Sequence, residues 1–146
     1  MRSQFIKNQI SSILVSKSKK NKISNYGVAD LKNKKFKDKN IYLKDIIEKP
    51  SSSKAPSNYF ASGRYIFKNN FFNFLKDLKP DKSGEIQLTE GISKFITNGN
   101  EVLVHKSSEN VYDCGDKLGY LKAIIDFGLE DISISKDIKN HLKSLV

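Results

Sequence analysis

Apolar residues recur along this chain in two rhythms, one of strand length and one helical. Ile10 to Val15 is a brief apolar run, and Tyr26 to Leu31 is a second. Both predict strands, separated by a lysine-rich connection from Lys17 to Lys22. Lys32 to Asn40 is so charged that it predicts a solvated turn. Ile41 to Glu48 alternates loosely through Ile41, Leu43 and Ile46 or Ile47. It predicts a strand ended by Pro50, which has no N–H to donate to a ladder. Ser51 to Ser57 reads as a loop, and the aromatic stretch Tyr59 to Phe67 as a strand crossing the core.

The helical rhythm then takes over. Phe71, Phe74, Leu75 and Leu78 fall on one face of a helix that Pro80 stops. Leu88, Ile92, Phe95 and Ile96 form a second stripe, with Gly99 placed to cap its C-terminus. Glu101 to His105 and Glu109 to Tyr112 predict a strand pair. Leu118, Leu121, Ile124 and Ile125 mark a third helix ending at Gly128, and Ile134, Ile138, Leu142 and Leu145 a fourth. No repeat or heptad pattern is present, and strands alternating with helices imply an α/β unit.

Composition narrows the class. At 146 residues the chain suffices for one domain or a piece of one. No apolar run approaches the length of a membrane span, and the N-terminus lacks the apolar core of a secretory signal, so no membrane partner is expected. Cys114 is the only cysteine, which points to a reducing, cytoplasmic setting and to a small buried residue in place of a nucleophile. The net charge of +10 invites a nucleic-acid reading, but only Arg2 and Arg64 are arginines. Bidentate phosphate and base recognition favours arginine, so no nucleic acid is expected, whereas a lysine-rich field suits anionic small molecules.

Candidate chemistry lies at strand ends. Glu48-Lys49-Pro50 closes a strand, where ligand groups gather in open α/β sheets. A carboxylate can accept hydroxyl hydrogen bonds from a hexose while a neighbouring ammonium meets phosphate charge. Taken alone, the pair reads better as two solvated charges at an ordinary strand terminus. Tyr26-Gly27-Val28 offers a glycine with no Cβ to obstruct close contact, or simply the start of a strand. Asp113-Cys114-Gly115 precedes a helix, where an aspartate can cap or favour the dipole. His105 and His141 have no metal-ligand spacing.

Four segments in fixed order carry more information together: Tyr26-Gly27-Val28, Glu48-Lys49-Pro50, Ala55-Pro56-Ser57-Asn58 running on to Gly63-Arg64-Tyr65, and Asp113 to Tyr120. With Gly84-Glu85-Ile86-Gln87-Leu88-Thr89 between the last two, the chain resembles the C-terminal half of bacterial UTP–glucose-1-phosphate uridylyltransferases over roughly residues 5 to 130. The resemblance implies an α/β fold, a partial nucleotidyltransferase domain with a Rossmann-like mixed sheet that lacks the nucleotide-binding half. Residues 1–130 would form the sugar-binding half of a single partial domain, and 131–146 a C-terminal helix.

By the same resemblance, Glu48 binds glucose hydroxyls and Lys49 contacts the phosphoryl groups in catalysis. Gly27, Ala61 and Ser62 line the sugar site, and Asp113 is a ligand of magnesium, the implied cofactor. Family members usually carry an aliphatic residue where Ser62 stands. The implied partners are glucose 1-phosphate and UTP or UDP-glucose, with a homo-oligomer or a complementing N-terminal chain. The glycines, at 27, 63, 84, 91, 99, 115, 119 and 128, include no G-x-G pair of the kind that cradles a triphosphate. The resemblance therefore implies that this chain alone has little uridylyltransferase activity and that some strands present open edges. A thymidylyl- or cytidylyltransferase, or a non-catalytic sugar-phosphate-binding subunit, stays open as an alternative.

Overall fold

The computed structural model describes residues 1–33 and 40–145 and divides into two compact units, Met1–Glu109 and Asn110–Val146. The division thus falls after Glu109, while the boundary read from sequence at residue 130 coincides with the end of a helix. Most of the charged turn expected at Lys32 to Asn40 lies outside the described residues.

The first unit opens on helix α1 (Arg2–Asn8), which no apolar stripe announces. It continues through strands β1 (Ser11–Lys17), β2 (Gly27–Leu31), β3 (Ile41–Glu48) and β4 (Tyr59–Ile66), helix α2 (Leu88–Thr97) and strand β5 (Val102–Lys106). The sheet is mixed, as expected. β1 runs parallel to β5, and the remaining pairings are antiparallel. Its order, β1-β4-β2-β3-β5, closes on itself, giving each strand a neighbour on both sides. The open edges expected from sequence are therefore not found among the described residues.

Ring closure also explains why Glu109 to Tyr112 forms no strand. β5 already has β1 on one side and β3 on the other, leaving no free ladder for a hairpin partner. The predicted helix over Phe71 to Leu78 is instead a six-residue 3-10 helix, Asn69–Phe74, followed by turns. Its bonds span three residues, as from Leu75 N–H to Phe72 O at 3.2 Å and from Leu78 N–H to Leu75 O at 3.3 Å. Asn69, Asn70 and Asn73 are weak helix formers, and Phe71 and Phe74 share a face in a three-residue turn just as they would in an α-helix.

Those aromatics build the core. Phe71 stacks on Phe67 at 3.9 Å between centroids, and Phe67, Phe71 and Phe74 all meet Phe95 of α2 edge to face. Phe95 is fully buried among Ile13, Val15, Leu43, Ile46 and Ile92. Ser93 clamps α2 to β3 through a 2.7 Å bond to Asp45. Gly99 follows the helix end at φ 81°, as the sequence suggests.

The second unit pairs α3 (Lys117–Glu130) with α4 (Ser135–Ser144). Gly128 does not end α3. It lies inside the helix, and a Cβ there would sit 2.4 Å from Ile138, so the glycine lets α4 close on α3. Leu118, Leu121, Ile124 and Phe127 remain at least half exposed. No helix among the described residues is long and apolar enough to cross a membrane.

Replacing Phe95 with alanine removes the ring on which three other aromatics converge. The loss of stability is expected to be about 3–5 kcal/mol. Urea unfolding followed by circular dichroism checks it, and a loss under about 1 kcal/mol would show that the cluster does not hold α2 to the sheet.

Candidate functional site

The β2–β3 ladder places Gly27 directly opposite Glu48. Beyond Glu48 the backbone turns sharply. Lys49 adopts φ 41°, an uncommon left-handed conformation for a residue with a side chain, and its N–H donates to Tyr26 O at 3.1 Å.

Glu48 is half-buried. Thr89, near the start of α2, donates its hydroxyl to Glu48 Oε2 at 3.1 Å, while Lys49 Nζ stands 4.0 Å from Oε1. An ion pair that long and that exposed contributes little, so the lysine keeps its cation available. Gly27 is a glycine for steric reasons. A Cβ at that position would lie 2.8 Å from Thr89 Cγ2 and 3.1 Å from Glu48 Oε2.

Two cavities meet here. The smaller, about 250 Å³, is lined by Tyr26, Gly27, Glu48, Ala61, Tyr65 and Thr89, among others. The larger, about 830 Å³, is lined by Glu48, Lys49, Asp81, Lys82, Gln87 and Ser93, among others. Glu48, Gln87 and Thr89 belong to both. The larger volume suits a small-molecule ligand, and the carboxylates, amide and ammonium groups suit one that carries hydroxyls and negative charge.

Gln87 is oriented by its neighbours. Its amide nitrogen donates to Asp81 Oδ2 at 2.8 Å and to Glu85 Oε2 at 3.2 Å, which leaves the carbonyl oxygen as the group it can offer a ligand. Asp81 also accepts from the Ser83 N–H at 2.7 Å, the Ser83 hydroxyl at 2.5 Å and the Glu85 N–H at 3.2 Å. These bonds, the Ser83 hydroxyl first and Gln87 next, pull the Asp81 carboxyl down to about 2. Tyr65 shifts the other way, pushed up first by burial and then by the Glu48 charge.

Of the residues singled out from sequence, Gly27, Glu48, Lys49 and Ala61 therefore gather at one place in the first unit. Ser62 does not share their cavities. Successive strand residues face opposite sides, and its hydroxyl donates to Leu14 O on β1 at 3.2 Å. Tyr65, Asp81, Gln87 and Thr89 escaped the sequence reading as site residues. The only signal was their position in or beside the motif segments.

Asp113 belongs to the second unit. Its Oδ1 accepts the Gly115 N–H at 3.1 Å, and its carbonyl accepts the Asp116 N–H at 3.2 Å. The cap of α3 is Asp116, which accepts the Gly119 N–H at 3.3 Å, so Asp113 is not the capping residue. A Cβ on Gly119 would meet the Asp113 carbonyl oxygen at 2.2 Å, so this loop needs glycine there. Cys114 is exposed, contrary to expectation, because the short loop before α3 offers no core to cover it. Among the described residues no three His, Cys, Asp or Glu side chains cluster as a metal cage. One exposed carboxylate still fits magnesium, which commonly takes one or two protein carboxylates beside phosphate oxygens and waters.

Residues 3–128 match the family model described as nucleotidyl transferase. The UTP–glucose-1-phosphate uridylyltransferase of Haemophilus influenzae is 32% identical over 143 residues, which are 97% of this chain and 48% of that protein. A UDP-glucose pyrophosphorylase from Acinetobacter baumannii superposes with a TM-score of 0.84 at 29% identity, covering 100% of this chain and 49% of its own. A UDP-glucose pyrophosphorylase complexed with UDP-glucose gives a TM-score of 0.78 at 29% identity, over 88% of this chain and 48% of that one. The chain thus spans about half the length of the relatives it matches.

Asp81 provides a test of the loop beside the larger cavity. Because its folded carboxyl sits below the ordinary 3.8, its contribution to loop order is complete above that value and lost as pH falls through about 2. NMR signals of the Ser83 and Glu85 amides and the Gln87 side chain are expected to move together with that midpoint. A midpoint near 3.8 would mean the bonds do not form in solution.

Proposed function

The chain belongs to the nucleotidyl transferase family, and from that premise we propose that it supplies the glucose 1-phosphate side of a site that joins this sugar phosphate to UTP. The products are UDP-glucose and pyrophosphate. The observation that carries the reading is the Glu48 carboxylate, set opposite Gly27 and beside the unburied ammonium of Lys49, where two cavities meet.

In this reading the sugar phosphate oxygen attacks the α-phosphorus of UTP in line. A new P–O bond forms, the bond to the bridging oxygen breaks, and pyrophosphate leaves. No covalent intermediate with the protein is needed, so the residues act by positioning and charge. Glu48 accepts sugar hydroxyls, Gly27 lets backbone approach the ring, and Ala61 contributes to the wall of the smaller cavity. Lys49 meets the phosphoryl charge, and Ser62 acts through its main chain alone. Asp113 would hold magnesium through a carboxylate oxygen, and the ion would supply charge neutralisation to phosphoryl groups.

The 146 residues are proposed as the C-terminal half of a nucleotidyltransferase domain, with 131–146 as an appended helical segment. Exposed Leu118, Leu121 and Ile124 support a macromolecular partner, either a second copy or a chain bearing the nucleotide-binding half. The lone cysteine supports a cytoplasmic setting.

Isothermal titration of the purified chain with glucose 1-phosphate tests the sugar side. Glu48→Gln removes a charge-assisted acceptor, worth about 1.5–3 kcal/mol, and is expected to weaken binding by roughly 10- to 150-fold. UTP binding, measured in parallel on the chain reconstituted with a nucleotide-binding half, is expected to change far less. Equal losses for both ligands would sink the assignment.

The metal side is tested in the same reconstituted enzyme with Asp113→Asn, which can still accept the Gly115 N–H but loses its charge. The magnesium concentration for half-maximal turnover is expected to rise. A fall in Tm with an unchanged magnesium requirement would assign Asp113 to loop structure alone.

A further inference from the structure

We propose that Thr89 is a positioning residue for sugar recognition, holding the Glu48 carboxylate so that one oxygen faces Gly27 and the smaller cavity while the other faces Lys49 and the larger one. The inference rests on the glucose 1-phosphate reading for its ligand but not for its geometry.

Thr89 is 8% exposed, and its hydroxyl has a single proton to give. In a helix interior that proton would return to a carbonyl three or four residues earlier. Near the start of α2 it crosses instead to β3 and Glu48 Oε2, at 3.1 Å. The same oxygen lies 3.1 Å from where a residue-27 Cβ would stand, which places it on the glycine side. Oε1 is the oxygen that looks toward the lysine, at 4.0 Å.

The other arm of Thr89 completes the fixture. Its Cγ2 would be 2.8 Å from a Cβ at residue 27, so the methyl sets how closely α2 and β2 approach. A β-branched side chain has few rotamers, and burial removes most of those. Without the hydroxyl, nothing would hold Oε2 on the Gly27 side, and even the weak pull of Lys49 at 4.0 Å would let the carboxylate swing to the larger cavity. Tyr65, lining the smaller cavity and raised partly by the Glu48 charge, reports on that swing.

Thr89→Val keeps the methyl and removes the hydroxyl, and Thr89→Ser does the reverse. The first readout needs no ligand: the Tyr65 phenol is titrated by NMR in wild type, both variants and Glu48→Gln, on ring-labelled protein. Thr89→Val is expected to move the Tyr65 pKa down toward the Glu48→Gln value, and Thr89→Ser to leave it near wild type. The second readout is affinity for glucose 1-phosphate, expected to fall about tenfold in Thr89→Val and less than about threefold in Thr89→Ser. An unmoved Tyr65 in Thr89→Val, or equal defects in the two variants, would overturn the proposal. Failure of the wild-type chain to bind glucose 1-phosphate would overturn the ligand reading instead, with the positioning role still decided by the Tyr65 titration.

Discussion

The pairing register of β2 against β3 governs the site. Because side chains alternate along a strand, a slip by one residue would turn Glu48 to the other face and bring a residue with a Cβ opposite it. In the observed register, position 27 itself has no room for a Cβ, since Thr89 and Glu48 occupy the space. Register and steric fit therefore agree. The buried residues of the same two strands, Ala29 and Leu31 on β2 and Leu43 and Ile46 on β3, fix the alignment from the core side.

A second restraint comes from the segment that leads into α2. Asp81 gathers four donors, two from Ser83 and one each from Glu85 and Gln87, and so shapes the wall of the larger cavity with polar contacts alone. The helix that follows is tied to β3 twice, through Ser93 on Asp45 and through the core cluster that holds Phe95 with Leu43 and Ile46. Charge and packing thus divide the work. The aromatic core places α2, and the aspartate-centred loop presents the residues just before it.

Strands were readable from sequence where apolar runs met clear breakers, as at Ile41 to Glu48 before Pro50. They were not readable where topology decides. Glu109 to Tyr112 has strand composition but no vacant ladder beside β5, a fact that exists only once β1 and β3 have both claimed it. The spacing of Phe71 and Phe74 cannot separate a 3-10 turn from an α-helix, since both put residues three apart on one side. In the site, Glu48 and Lys49 were legible because the Glu48-Lys49-Pro50 segment stands in fixed order with the other segments that carry the family resemblance, whereas a charged pair at a strand end alone reads as solvated. Thr89 and Tyr65 were not, because threonine and tyrosine become informative only when their partner forty-one or seventeen residues away is known.

The left-handed backbone at Lys49 has an evolutionary consequence. A side chain in that conformation costs about 1–2 kcal/mol relative to glycine. Screening a library of this chain for heat resistance alone would therefore favour glycine at position 49 and discard the cation at the mouth of the larger cavity. Stability and ligand charge are in direct competition at this one residue, so thermal selection would erode the site without disturbing the fold.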